Sequence, residues 1–301
     1  LANIHIAIKN AEDIPTGIGQ DFFKYRKPEH MHNGYADTLN QAVHNGDDEI
    51  ADAVRSNMRI VASMPDYQFD ISKFSCGNTH GDYMISQMIW ENEKPVAIID
   101  WTCACKHPYI WEIVRSYVFM APEIGRGELN IDGLLQYIKS YTRIAPLNAY
   151  DIENAGKLFY YFLAVCNFYG QYYDSISKNR YIYLKQAEMS AKLLVWFEKH
   201  IDELNDKLHE LALKMTEEKK TSVFYDLSGR LKQYPRRNTL RITVLTKIAD
   251  HFEKDKKYTE KEVNEIIRQN ISFSDIELIR REMFIHGLIG RLSDGSQYWR
   301  E

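Results

Sequence analysis

Apolar residues recur three and four positions apart along most of the chain, and this spacing predicts helices at about 109–121, 131–145, 150–175 and 181–217. Upstream, residues 1–10 read as a helix with Leu1, Ile4, Ala7 and Ile8 on one side. The next forty residues are polar and interrupted by Pro15, Gly17, Gly19, Pro28, Gly34 and Gly46, with helices expected at 35–43 and 48–61. The third long helix carries Phe159, Tyr160, Tyr161, Phe162, Phe168, Tyr169, Tyr172 and Tyr173 nearly all round, the pattern of a buried helix. Stacking of one or two of these rings on a substrate is the alternative. In the fourth, Leu194, Phe197, Ile201, Leu204, Leu208, Leu211 and Met215 alternate by three and four, a heptad seam. Two readings of it stay open: an amphipathic helix lying on its own domain, or a spacer or homodimer seam over 194–215.

Between residues 74 and 104 the pattern changes. Residues 74–82 are loop-like, 84–90 form a short apolar run, 91–94 a polar turn, and 95–100 a β-branched run ending in an acid. This predicts a hairpin with acidic and amide groups gathered at one end. Downstream, residues 239–252 are amphipathic. Thr259 and Glu262, then Ser274 and Glu277, stand at capping-box spacing before two further helices. Gly287 ends the second of these, and 288–292 with 297–300 read as a hairpin around Asp294-Gly295. Three helices followed by a hairpin is the order of a winged helix.

The chain has 301 residues, about two domains' worth. The polar stretch 216–222 suggests a boundary, giving domains at 1–217 and 222–301. A 45% hydrophobic content excludes global disorder, and 15 Gly, 8 Pro and 4 Cys exclude collagen-like and disulfide-scaffold classes. Cys76, Cys103, Cys105 and Cys166 show no CxxC spacing, which suits a reducing cytoplasm. No apolar run approaches the ~18–20 residues of a membrane span, and the start shows no signal-peptide pattern. The net charge is −4; residues 221–301 hold fifteen Lys and Arg against twelve Asp and Glu. In the third helix of that segment Asp275, Glu277 and Glu282 surround Arg280-Arg281, a poor match to phosphate, so a protein partner or a structural role is preferred to nucleic acid.

The chemistry concentrates in His80-Gly81-Asp82, Gln87 and Ile98-Ile99-Asp100. Phosphoryl transfer needs a carboxylate to orient an alcohol and oxygen ligands for Mg²⁺. Asp82 offers the first, and Gln87 with Asp100 the second, one on each arm of the hairpin. By contrast, Gly17-Ile-Gly19 follows no strand and makes a poor phosphate loop. Cys103 and Cys105, with only His107 as a further Cys or His nearby, read as small buried hydrophobes rather than a metal site, and His30 and His32 lack a partner acid.

With Gln87 five residues after Asp82 and Asp100 thirteen after Gln87, residues 1–215 resemble the aminoglycoside phosphotransferase and choline kinase-like superfamily. The amide is Gln where Asn is usual, and Met84 stands where a second His is common. The resemblance implies an α+β fold: a mostly helical, protein-kinase-like C-terminal lobe with a catalytic β-hairpin. It implies Asp82 as catalytic base, Gln87 and Asp100 as Mg²⁺ ligands, His80 as a brace of the loop, and ATP as phosphoryl donor. The acceptor would be a hydroxyl of a small molecule such as an aminoglycoside, amino-alcohol or sugar. Leu1 to His5 look similar to the helix that opens that lobe, so the nucleotide lobe is expected to be missing from the chain as given, with weak or no ATP turnover. A catalytically dead scaffold, with the C-terminal domain binding nucleic acid or a protein, is the competing reading. Residues 258–264, Ile279-Arg-Arg-Glu282, His286-Gly-Leu288 and Gly295 to Arg300 resemble the bacterial domain of unknown function 2087, whose chemistry is not established.

Overall fold

Up to residue 63 the apolar spacing folds into α1 (Ala2–Ala7), α2 (Gln20–Tyr25), α3 (Met31–Asn45) and α4 (Asp48–Ser63). α3 stops at Gly46, whose φ of +72° supplies the left-handed cap. On α1 the buried positions are Ala2 and His5, not the expected Leu1, Ile4, Ala7 and Ile8. This computed structural model describes residues 1–176 and 180–301, which divide into two units, Leu1–Ala212 and Leu213–Glu301.

The first unit is α+β, with helices around two small antiparallel pairs. β1 (Cys76–Thr79) pairs with β4 (Cys105–Pro108), and β2 (Met88–Glu91) pairs with β3 (Lys94–Ile98). The β2–β3 ribbon turns at Asn92 and Glu93, both with positive φ (48° and 61°), as a two-residue turn of matching twist requires. Its first arm is shorter than the apolar run suggested: Ile85–Gln87 form one 3-10 turn before the strand starts.

α5 (Tyr109–Met120) and α6 (Ile131–Thr142) follow. The single helix expected over 150–175 is instead three: α7 (Ala149–Glu153), α8 (Ala155–Ala164) and α9 (Phe168–Asp174). Asparagines make the breaks. The Asn148 side chain caps α7 in a box with Asp151; Asn154 stands between α7 and α8; the Asn167 side chain accepts from Gly170 N at 3.0 Å to start α9. Phe159, Tyr160 and Tyr161 on α8 are core residues, whereas Tyr172 and Tyr173 on α9 are half-buried.

α10 (Tyr181–Ser222) carries the heptad positions. Leu194, Phe197, Ile201, Leu204, Leu208 and Leu211 are all buried within the chain and Met215 is half-buried, which is the arrangement of an amphipathic helix. Residues 216–222 are the helical end of α10 rather than a linker, and the division between units falls inside this helix.

The second unit contains α11 (Asn238–Ala249), β5 (Lys257–Tyr258), α12 (Glu260–Asn270), α13 (Ile276–Ile285), β6 (Ile289–Arg291) and β7 (Tyr298–Arg300), with sheet order β5-β7-β6. Val244, Ile248, Phe252, Val263, Ile267, Ile279 and Met283 make its core. β5 was not visible in the pattern: two residues are too few for alternation to register. α13 is capped by Asp275, which accepts from Leu278 N at 3.0 Å, and not by Ser274. The box at α12 forms as expected: Glu262 Oε2 accepts from Thr259 N at 2.7 Å, and Thr259 Oγ1 accepts from Glu262 N at 3.4 Å. Thr259→Ala is expected to cost about 1 kcal/mol of stability, read as a lower urea midpoint for the second unit; an unchanged midpoint would show the box to be ornamental.

Candidate active site

The loop between β1 and β2 is fixed by a carboxylate that the sequence did not single out. Glu112, on the first turn of α5, is fully buried. Its Oε2 accepts from His80 N at 3.1 Å, and its Oε1 accepts from Gly81 N. On the far side His5 Nε2 pairs with the same Oε2 at 2.7 Å, and His5 Nδ1 lies 2.9 Å from Tyr141 Oη. Burial pushes the Glu112 carboxyl towards its neutral form, but His5 and the two loop N–H groups outweigh that and hold it below the usual carboxylate range. One carboxylate thus ties α1, α5 and the loop together.

Gly81 has a φ of +78°, and a Cβ there would lie 1.9 Å from the Cys103 carbonyl oxygen, so the loop admits only glycine at this point. That conformation turns Asp82 outward, its side chain 23% exposed. The Asp82 Oδ2 accepts from Gln87 Nε2 at 2.8 Å, and Oδ1 pairs with Arg115 Nη2. Arg115 lies one turn beyond Glu112 on α5, so both reach the same loop.

Gln87 and Asp100 stand at the root of the β2–β3 ribbon. Ile99 N donates to the Gln87 carbonyl at 3.0 Å, and Asp100 is the next residue. Its backbone is left-handed (φ +59°), its side chain is exposed, and Thr102 Oγ1 donates to it at 2.5 Å. The Thr102 hydroxyl and N–H hold the Asp100 carboxyl below its ordinary range. His80 is buried; its Nδ1 accepts from Asp82 N at 3.3 Å and its Nε2 lies 2.9 Å from the Ile99 carbonyl, which links loop to ribbon. Asp82, Gln87, His80 and the Ile99-Asp100 segment are therefore neighbours, and Gln87 Oε1 has no hydrogen-bond partner among the described residues.

Cys103 is exposed, not the small buried side chain expected, because it sits on the 3-10 turn after Asp100. Cys105 is half-buried; its thiol donates to the Cys103 carbonyl at 3.1 Å and lies 2.8 Å from His107 Nε2. Burial pushes that thiol up to about 11, so this pair is no thiolate–imidazolium nucleophile. Gly17 closes on the same imidazole: its N donates to the Lys106 carbonyl at 3.0 Å, and a Cβ would meet His107 Cε1 at 2.2 Å. Gly17 thus serves close packing, and Ile18 N donates to His107 Nδ1 at 2.9 Å.

Burial is the main cause that pushes His107 down to about 4; Glu112 opposes it and Arg115 adds to it. The sign of the pH effect follows. Above pH 7 the imidazole is neutral folded and unfolded alike, and contributes nothing. As pH falls through about 6.5 the unfolded chain takes up a proton that the folded chain refuses, and stability drops by about 3 kcal/mol by the time pH nears 4. The stability gap between wild type and His107→Asn is therefore expected to shrink between pH 7 and pH 4.5 in denaturant titrations; a constant gap would refute it.

Beside the loop lies a cavity of about 310 Å³ lined by Gly81, Trp111, Arg115 and Phe119 on one side and Phe159 and Phe162 on another. Trp111, Arg115 and Phe119 are four apart on α5 and share a face. A larger cavity, about 510 Å³, lies at Phe23, Lys27, Tyr35, Asp66, Tyr67 and Phe69 and includes none of the loop residues. We take the smaller as the site because Gly81, which precedes Asp82, and Arg115, which pairs with it, both line it. No helix among the described residues is long and apolar enough to cross a membrane.

No curated protein matches the chain. Residues 21–147, spanning the loop, the ribbon, α5 and α6, match the model of the "Phosphotransferase enzyme family". Residues 230–300 match that of "Uncharacterized protein conserved in bacteria (DUF2087)", so the chain carries a phosphotransferase-family segment followed by a DUF2087 segment.

Proposed function

We propose that the first unit carries the catalytic loop of an ATP- and Mg²⁺-dependent phosphotransferase acting on a hydroxyl of a small molecule. The observation that carries this is the meeting of Asp82 with Gln87 and the Ile99-Asp100 segment beside the 310 Å³ cavity. Asp82 orients the acceptor hydroxyl and takes its proton as the oxygen attacks the γ-phosphorus, and ADP leaves. Arg115 and Gln87 hold the two carboxylate oxygens in place, and Glu112 fixes the backbone from which Asp82 projects.

The donors fit a magnesium ion. Gln87 Oε1 and the exposed Asp100 carboxylate are hard oxygen ligands, and Mg²⁺ bound to nucleotide phosphates needs only one or two from the protein. Among the described residues no three His, Cys, Asp or Glu side chains gather into a cage of their own, which suits an ion held mainly by phosphate and water. When bound, it would neutralise charge on the phosphates.

For the second unit, the order helix, strand, helix, helix and two strands, with the last strand in the middle of the sheet, supports a winged-helix reading. The test of the main proposal is a phosphorylation assay of the complete gene product with Mg²⁺-ATP across hydroxylated small molecules. Acceptor-dependent ADP release is the expected result, and its absence across the panel would defeat the reading.

A further inference from the structure

In the second unit, residues of α13, β6 and β7 line a cleft of about 270 Å³: Glu277, Arg280, Arg281, Phe284, Arg291 and Tyr298. Its three arginines are not alike. Arg280 is already engaged, its Nη1 donating to Glu260 at 2.7 Å and to Asn264 Oδ1 at 2.6 Å. Arg281 and Arg291 are exposed and make no ion pair or hydrogen bond through their side chains among the described residues. The Arg291 guanidinium lies over the Phe284 ring, 4.7 Å from its centroid. A guanidinium steadied on a ring keeps its fork of N–H donors for a partner.

The surroundings of the cleft narrow the occupant. Glu277, Phe284 and Ile285 stand three or four residues from Arg281, so all four share the outer face of α13. Phe284 and Ile285 are 41% and 62% exposed there. With Arg280 balanced by Glu260, two open guanidiniums face one carboxylate, that of Glu277. A cationic ligand is repelled by this balance. A DNA duplex brings a row of phosphates that asks for several basic contacts, and it would meet Glu277 on the first turn of the helix. Open arginine beside open phenylalanine and isoleucine is instead the make-up of a protein interface. A carboxylate next to a bulky apolar group answers every part of it: the acid on the free forks, the apolar group on Phe284 and Ile285.

We infer that this cleft docks a segment of a partner protein in which carboxylates stand beside bulky apolar side chains. The inference is independent of the phosphotransferase reading, since no residue of the first unit enters it. Fluorescence anisotropy on the full chain tests it with three labelled peptides of one length, leucine mixed with glutamate, glutamine or lysine, and with a labelled DNA duplex. The glutamate peptide is expected to bind at least about tenfold more tightly than the glutamine peptide, the worth of one charge-assisted hydrogen bond, and the lysine peptide more weakly than either. Arg281→Gln combined with Arg291→Gln is expected to abolish that preference. Arg236→Gln combined with Arg237→Gln takes the same charge from two exposed arginines outside the cleft, and is expected to leave it in place. Ile285→Ser is expected to weaken the glutamate and glutamine peptides alike. All five positions are exposed, so urea unfolding of these chains is expected to match wild type. Equal losses in the two double variants would reduce the effect to net charge and overturn the inference. Equal binding of the glutamate and glutamine peptides, or binding by none, would do the same. A DNA duplex that displaces the glutamate peptide, and is itself lost in the Arg281 and Arg291 double variant, would hand the cleft to nucleic acid.

Discussion

Replacing Asp82 with Asn is expected to lower phosphoryl transfer by a factor on the order of 10²–10⁴ in the complete gene product, the usual worth of a positioned general base. The amide keeps the shape but takes no proton. The same change also leaves Arg115, only 9% exposed, without its charge partner, so lost activity could be misread from a loosened fold. A second variant separates the two. Asp82→Asn combined with Arg115→Gln removes both charges, and is expected to recover the stability lost in the single variant without recovering turnover. Unimpaired transfer by a folded Asp82→Asn protein would remove Asp82 from the chemistry. Activity returning with stability in the double variant would make its role purely structural.

Glu112→Ala is expected to have the largest effect on stability, a loss of about 3–5 kcal/mol, because it strands a buried histidine and two backbone N–H groups at once. Glu112→Gln keeps one acceptor oxygen and is expected to lose less. The partnership is checked by a double-mutant cycle with His5→Ala in urea unfolding: strong coupling between the sites is the expected outcome, and additive losses would break the link. Acidity tests it independently. Since the folded carboxyl ionises more readily than the unfolded one, its contribution is fully present above about pH 4.5 and fades as pH falls through the lower folded value. Wild type is expected to lose this part of its stability in acid, while Glu112→Gln has none of it to lose.

Much of this architecture was legible in the order of residues, and the exceptions share a cause. The Asp82–Gln87 pair and the β2–β3 ribbon are local in sequence, so spacing alone brings them together. Glu112, Arg115 and His5 are not local. Their partners are thirty to a hundred residues away, and nothing near Glu112 distinguishes it from any acidic residue on the first turn of a helix. A buried-side spacing of Ala2 and His5 was present, but a histidine among isoleucines ranks low on any apolar scale, and Ile4 and Ile8 drew the face the wrong way. The break of 150–175 into three helices was masked by its aromatic density. Rings at nearly every position fill out a helical pattern, while the two asparagines that cap the pieces act through single side-chain hydrogen bonds, which periodicity does not register. The exposure of Cys103 follows from the turn after Asp100, whose left-handed backbone no pattern of apolar residues announces.

The β2–β3 ribbon is a two-stranded sheet that pairs with no other strand among the described residues, and Ile89, Trp90 and Val96 lie open on it. Such a ribbon has little of its own to resist fraying. Anything that bridges Gln87 and Asp100 would act as a rivet at its root, restraining both arms together and stiffening the tip at Asn92 and Glu93, so that the order of the whole ribbon would rise and fall with the occupancy of a point at its base.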